Sequence, residues 1–367
     1  MSQASDRIYF PNLDGLRFVA FFLVYLQHGF RISQIGGVGV AFFFVLSGFL
    51  ITYLLLVEIE RTGQVDVVAF YIRRTLRIWP LYFAVLAFAF GLFPLVKSLA
   101  GLGGEMRVDG LWLYFVFLAN FDVLRMASVG DPGFGSTNVL WSVAIEEQFY
   151  LLWPLIFRLV PRQLLVAVFP VVISSSFGFR FVSADHGPTL YFHSLSVISD
   201  MAIGGLSAYV WLYAPRFRTW FAELPKASIF AAYAGGALFL CTQDLWGPSG
   251  RLVSATIFAF VVLEQNFCTH SMFKLSGSRH LSEWGRYTYG LYMLHMIVLA
   301  LQAKAFHLFG LAPGHSLYDW TFPPFGLAAS ILLSQVSFHR FERPFLQLKE
   351  RFVRIKPLGA TEPNVQA

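Results

Sequence analysis

The chain has little charge, almost no cysteine and no polar linker sequence. Only 13% of its 367 residues are Asp, Glu, Lys or Arg, whereas 56% are hydrophobic and 18% aromatic, and the mean hydropathy is +0.61. That balance excludes a soluble globular domain, which needs more charge to cover its surface. The two cysteines, Cys241 and Cys268, lie in apolar runs without CxxC or Cys/His spacing, so neither a disulfide framework nor a metal site is expected. Short segments of alternating polarity, the mark of a transmembrane β-barrel, are missing too. So are internal repeats, low-complexity tracts and any appended soluble domain. The first apolar run carries Arg17 and His28 and has no small-residue cleavage site, so it reads as a retained span and not as a signal peptide.

What the chain does have is long apolar runs, at 13–32, 36–57, 78–97, 139–158, 163–183, 194–213, 227–242, 251–268, 287–306 and 323–340. They predict an all-α, polytopic transmembrane bundle of about ten spans, with the lipid bilayer as its surroundings. An eleventh run, 111–121, is shorter and leads into a Gly-rich polar stretch. Charge decides its role. With ten crossings and a cytoplasmic amino terminus, twenty of the 27 basic residues fall on the inner side, among them Arg73, Arg74, Arg77, Arg158, Arg162 and Lys226. An eleventh crossing would scatter Arg158, Arg162 and Lys226 to mixed sides, so 111–121 is expected to be re-entrant and both termini cytoplasmic. The net charge of +6 is thereby read as topology and not as a nucleic-acid footprint. Residues 342–356 read as a basic amphipathic helix on the inner leaflet. The expected organisation is one membrane domain over 1–357 and a disordered cytoplasmic tail over 358–367.

Against this apolar background the polar residues stand out. Glu146 and Glu147 are adjacent inside a run long enough to span, where each carboxylate costs roughly 2.5 to 3.5 kcal/mol. On a helix, Glu146 shares a stripe with Ser142, Tyr150 and Trp153, whereas Glu147 turns about 100° away beside Val143 and Leu151. Glu146 is therefore expected to face a polar cavity, and Glu147 equally to pair with an arginine. His28 follows Arg17 by three helical turns, about 16 Å along one face. An imidazole suits proton transfer at neutral pH, although a lone membrane histidine more often makes a structural interhelical bond. Arg74 and Arg77, one turn apart beside Arg73, form a clamp suited to phosphate or carboxylate as well as an inner-face anchor. Gly48 reads as a helix-packing glycine. His295, three residues after Tyr292, suits a tyrosine-linked structural bond. His186, His193, His307 and His315 fall in outer loops, where they either line an acceptor groove or have no role.

Six strings in order across nearly the whole chain carry a resemblance: LDGLRFVAFFLVYLQH, GVGVAFFFVLSGFLI, RRTLRIWPLY, LWSVAIEEQFYLLWP, GRYTYGLYMLH and FERP. Together they resemble the acyltransferase 3 family, the integral membrane O-acyltransferases of bacterial surface glycans. Gln27 departs from the family pattern, in which a tyrosine or tryptophan more often precedes the histidine. The resemblance implies a bacterial cytoplasmic-membrane enzyme that moves an acyl group, most often acetyl, from cytoplasmic acyl-CoA to a hydroxyl of a carbohydrate or glycolipid on the outer side. By the resemblance His28 is the motif histidine of the first run, Arg17 the arginine after its glycine-leucine, Arg74 and Arg77 the arginine pair, and Ser142, Glu146 and Glu147 the serine-glutamate motif. Some members add a periplasmic esterase-like domain; this chain ends soon after its last apolar run and is expected to act alone. No cofactor is expected to stay bound, with acyl-CoA as co-substrate.

On that function the residues suggest a mechanism. Arg74 and Arg77, with Arg73, would hold the CoA phosphates. His28 would take the proton of the acceptor hydroxyl, Glu146 would orient the imidazole, and Arg17 or a helix-end amide would stabilise the oxyanion. Ser142, Glu147, Tyr150 and His295 are supporting candidates. Direct transfer is the first choice, because no cysteine or activated-serine motif calls for an acyl-enzyme. A secondary transporter of a glycan or organic anion is the main rival, and a non-enzymatic glycan-binding or sensory membrane protein the second. The crowding of polar motifs into the first 150 residues argues against paired transporter halves.

Overall fold

The structure is a computed structural model that describes residues 8–32, 35–95, 109–130 and 135–352, the side chains at 136, 243 and 244 excepted. Every regular element among these residues is helical. The first helices are α1 (Pro11–His28), α2 (Ile35–Thr62) and α3 (Val67–Ala87). Two short pieces, α4 (Leu111–Phe115) and α5 (Ala119–Ser128), precede α6 (Leu140–Leu159) and α7 (Leu165–Val182). Then come α8 (Gly187–Phe192), α9 (Ser194–Tyr213), α10 (Pro215–Ala222), α11 (Lys226–Thr242) and α12 (Gly250–Phe267). The chain closes with α13 (Arg279–Arg286), α14 (Thr288–Leu308), α15 (Ser316–Ser337) and α16 (Arg343–Glu350).

Local chemistry sets several of these boundaries. Pro11 opens α1, where a missing N–H costs nothing. Asp66 caps α3, its Oδ1 accepting from the Ala69 N–H at 2.9 Å. Among the described residues seven helices are long and apolar enough to cross a membrane, or eight if α10 and α11, bent by 93°, form one span. The count of about ten is thus not reached on apolar length. The shortfall lies in α1 and α6, whose charged residues lower their hydropathy. Both helices sit in the interior, where neighbouring helices and not lipid surround much of their surface.

The run 111–121 does not form one helix. It breaks after Phe115, Phe117 adopts φ 56°, and α5 restarts at Ala119, so neither piece is long enough to span. Gln148 on α6 pins the break, its Nε2 donating to the Phe117 carbonyl and to Asn120 Oδ1, each at 2.9 Å. The helix expected at 342–356 is present as α16, reached from α15 through a π-helical turn at Phe338–Glu342; positions 353–356 and the tail at 358–367 lie outside the described residues.

α2 is the central post, with its most extensive packing on α9 and α1. The packing role expected of Gly48 holds: a Cβ there would overlap the Met201 carbonyl of α9, and one at Gly204 would overlap the Val45 carbonyl of α2. Small residues let the two backbones touch.

Candidate active site

At one end of α1, His28 is half-buried and its Nδ1 lies 3.0 Å from Nε2 of fully buried His295 on α14. The two rings stack at 5.2 Å with 24° between their planes. His295 Nδ1 in turn faces the carbonyl oxygens of Tyr292 at 2.8 Å and Leu291 at 3.2 Å. The tyrosine link expected of His295 therefore runs to the Tyr292 backbone; the Tyr292 hydroxyl goes elsewhere, lying 2.6 Å from Ser142 Oγ on α6.

One turn along α6 from Ser142, Glu146 Oε1 accepts a 2.7 Å bond from Ser47 of α2. Ser47 Oγ also accepts from Tyr150 Oη at 3.1 Å, so Ser142, Glu146 and Tyr150 do share the predicted stripe. Trp153 continues it, its Nε1 donating to Thr52 Oγ1 at 2.9 Å. Glu147 turns away, as its position requires, and accepts from Trp79 Nε1 at 2.9 Å in place of the expected arginine pairing.

The Arg74 guanidinium lies against Tyr150, 5.5 Å from its ring centroid, and against Phe70 at 5.4 Å. Its buried Nε has no hydrogen-bond partner among the described residues. Arg77 lies within electrostatic range of Arg17, Asp14 and Glu342. Arg74, Arg77 and Glu146 are deep in the bundle yet only half-buried, as expected of side chains lining an internal crevice. Two adjacent guanidiniums, one with an unused N–H, suit an anionic ligand.

Three expected placements are corrected. Glu146 does not orient His28: it bonds Ser47, and the four residues of α6 back to the Ser142–Tyr292 bond plus three of α14 on to His295, about 10 Å of rise together, separate it from the histidine pair. Arg17 is not beside His28 for the oxyanion role expected of it; it pairs with Asp14 Oδ1 at 2.7 Å, three turns of helix away. Arg73, expected to help the Arg74 and Arg77 pair hold phosphate, instead donates to the Phe352 carbonyl at 2.9 Å and faces Glu58 Oε2 at 3.5 Å. His193, one of the loop histidines, caps α9 by accepting from the Leu195 N–H at 3.2 Å and stacks on Phe179.

Ser47 and Trp79, which bond Glu146 and Glu147, are not singled out by the sequence. A hydroxyl kept inside the apolar run of α2 was the available signal for Ser47. No group of three His, Cys, Asp or Glu that could hold a metal occurs among the described residues.

The chain is 27% identical to the peptidoglycan O-acetyltransferase OatA of Listeria monocytogenes, over 92% of this chain and 56% of that protein. It is 27% identical to the putative peptidoglycan O-acetyltransferase YrhL of Bacillus subtilis, over 92% and 55%, and 25% identical to the O-acetyltransferase OatA of Staphylococcus aureus, over 92% and 57%. The chain thus spans a little over half the length of these curated relatives. No solved structure matches it. The family model described as an acyltransferase domain matches residues 10–339, and the chain belongs to the acyltransferase 3 family of integral membrane proteins.

Proposed function

We propose that this protein is an O-acyltransferase of the bacterial cytoplasmic membrane, with both termini cytoplasmic, which moves an acetyl group from acetyl-CoA to a hydroxyl of a cell-surface carbohydrate. The observation that carries this reading is the line of polar side chains inside an apolar bundle: Arg17 and Arg77 at one end, Arg74 on Tyr150, Glu146 on Ser47, Ser142 on Tyr292, and His28 on His295 at the other. Cations at one end and a base at the other match a donor whose charge lies in its phosphates and whose reactive carbonyl is the end of a slender arm.

In this reading Arg74 and Arg77 take the CoA phosphates by charge-assisted hydrogen bonds, with Arg17 adding charge at the same end. The arm places the thioester carbonyl carbon near His28. His28 Nε2 removes the proton from the acceptor hydroxyl as the oxygen attacks that carbon, the C–S bond breaks, and the proton passes from the imidazolium to the departing thiolate. Glu146, at middle depth with Ser47 and Tyr150, lines the passage of the arm and does no proton chemistry. The names of the relatives make a peptidoglycan sugar the first acceptor to test.

The test uses the full chain purified in detergent, radiolabelled acetyl-CoA and cell-wall glycan fragments. Label moving to an ester on the glycan is expected. Label that remains in acetyl-CoA with every carbohydrate acceptor contradicts the reading.

A further inference from the structure

We infer that His295 is the positioning residue of the site, holding His28 in the tautomer whose Nε2 carries the free lone pair. The inference rests on the proposed role of His28 as base, but its geometry is independent of any substrate. His295 Nδ1 lies 2.8 Å and 3.2 Å from two backbone carbonyl oxygens. Carbonyl oxygens only accept, so His295 Nδ1 carries a hydrogen. The ring is fully buried and packed by the rings of Phe21, Tyr25 and Tyr292. Such surroundings accommodate the neutral imidazole, whose Nε2 is then an acceptor. The group 3.0 Å from that Nε2 is His28 Nδ1, which must therefore donate. A neutral His28 with its hydrogen on Nδ1 has Nε2 bare.

Two carbonyls at the start of α14 thus fix, through two imidazoles in series, which nitrogen of His28 can accept a proton. The imposed tautomer is opposite to the one an unconstrained histidine side chain prefers in water, so without the relay His28 would mostly present an N–H to the acceptor. The same bond serves the second half of the reaction. Once Nε2 has taken the hydroxyl proton, His28 is a cation, and its Nδ1–H···Nε2 bond to His295 becomes charge-assisted. His295 thereby does for His28 what the carboxylate does in a serine-histidine-aspartate triad, holding the tautomer and stabilising the imidazolium, without adding a negative charge to an apolar interior.

The relay is tested in the full chain with isotope-labelled histidine, nitrogen NMR and acyl-transfer kinetics on His295→Ala and His295→Gln. The signal absent from His28→Ala identifies His28. In the unsubstituted protein that signal is expected to report an Nδ1–H, bare-Nε2 ring; in His295→Ala it is expected to move to the Nε2–H form. The turnover number of His295→Ala should fall by about 10- to 100-fold, as when other outer partners that fix a histidine are lost, with the KM for acetyl-CoA unchanged. His295→Gln should recover part of that loss, because its amide oxygen can accept from Nδ1 at a similar reach. A His28 signal that keeps its tautomer in His295→Ala overturns the inference. So does equal impairment of both variants with a raised donor KM, which would make His295 a packing residue only. If no carbohydrate accepts label from the unsubstituted protein, the functional reading fails, yet the tautomer experiment still gives its answer.

Discussion

Ser142 Oγ and Tyr292 Oη lie 2.6 Å apart, and this bond ties the helix of Glu146 to the helix of His295. Both oxygens are also 3.2 Å from the Val139 carbonyl, so the three atoms form a closed junction. Tyr292→Phe removes one hydroxyl and leaves Ser142 its carbonyl. The expected result is a stability loss of about 0.5 to 1.5 kcal/mol with transfer reduced only a few-fold. Thermal unfolding in detergent and a transfer assay check it; complete loss of transfer in a stable protein would bring the hydroxyl into the chemistry.

Ser47 joins Tyr150 and Glu146 by bonds of 3.1 Å and 2.7 Å. Ser47→Ala leaves both groups short of a partner inside the bundle, and an unsatisfied buried polar group costs about 1 to 3 kcal/mol. A lowered midpoint of thermal unfolding is expected, larger than for Ser142→Ala, where Tyr292 retains the Val139 carbonyl. An unchanged midpoint would mean that water replaces the hydroxyl and that Ser47 is not structural.

The stripe of α6 was legible from one sequence, because the helical period alone puts Ser142, Glu146 and Tyr150 on one side and Glu147 on another. Their partners were not. Ser47 is 99 residues from Glu146, Tyr292 is 150 from Ser142 and His295 is 267 from His28. No periodicity states which helices stand side by side. For the same reason Glu146 was expected to serve His28, two polar groups being paired by chemistry before their depths were known. A related point applies to the span count: α1 and α6 carry charge that neighbouring helices accommodate, so a test of apolar length alone registers seven or eight of the helices and passes over these two.

Arg74→Ala and Arg77→Ala should raise the acetyl-CoA requirement while the helical fold persists. A lost charge-assisted phosphate contact costs on the order of 1.5 to 3 kcal/mol, about 10- to 150-fold in affinity. Arg74→Lys should recover only part, since an ammonium cannot lie flat against Tyr150 and Phe70. Donor titration with the purified variants reads this directly. A titration that matches the unsubstituted protein would remove the arginines from the donor site.

Asp185 and Lys226 are both exposed, and on the proposed topology they lie on opposite sides of the membrane. Single cysteines at these positions, introduced after replacing Cys241 and Cys268, should react with an impermeant thiol reagent from opposite sides of intact cells and inverted vesicles. Reaction of both from one side would overturn the crossing order.

The most direct test of the account is His28→Ala in the purified full chain, with label transfer and acetyl-CoA binding measured on the same preparation. A positioned base is worth roughly 100- to 10,000-fold in rate, and His28 stands at the far end of the bundle from the arginines that would hold the donor. The account predicts near-complete loss of transfer with donor binding unchanged. A stable His28→Ala protein that binds acetyl-CoA and keeps more than about a tenth of the original rate would contradict it.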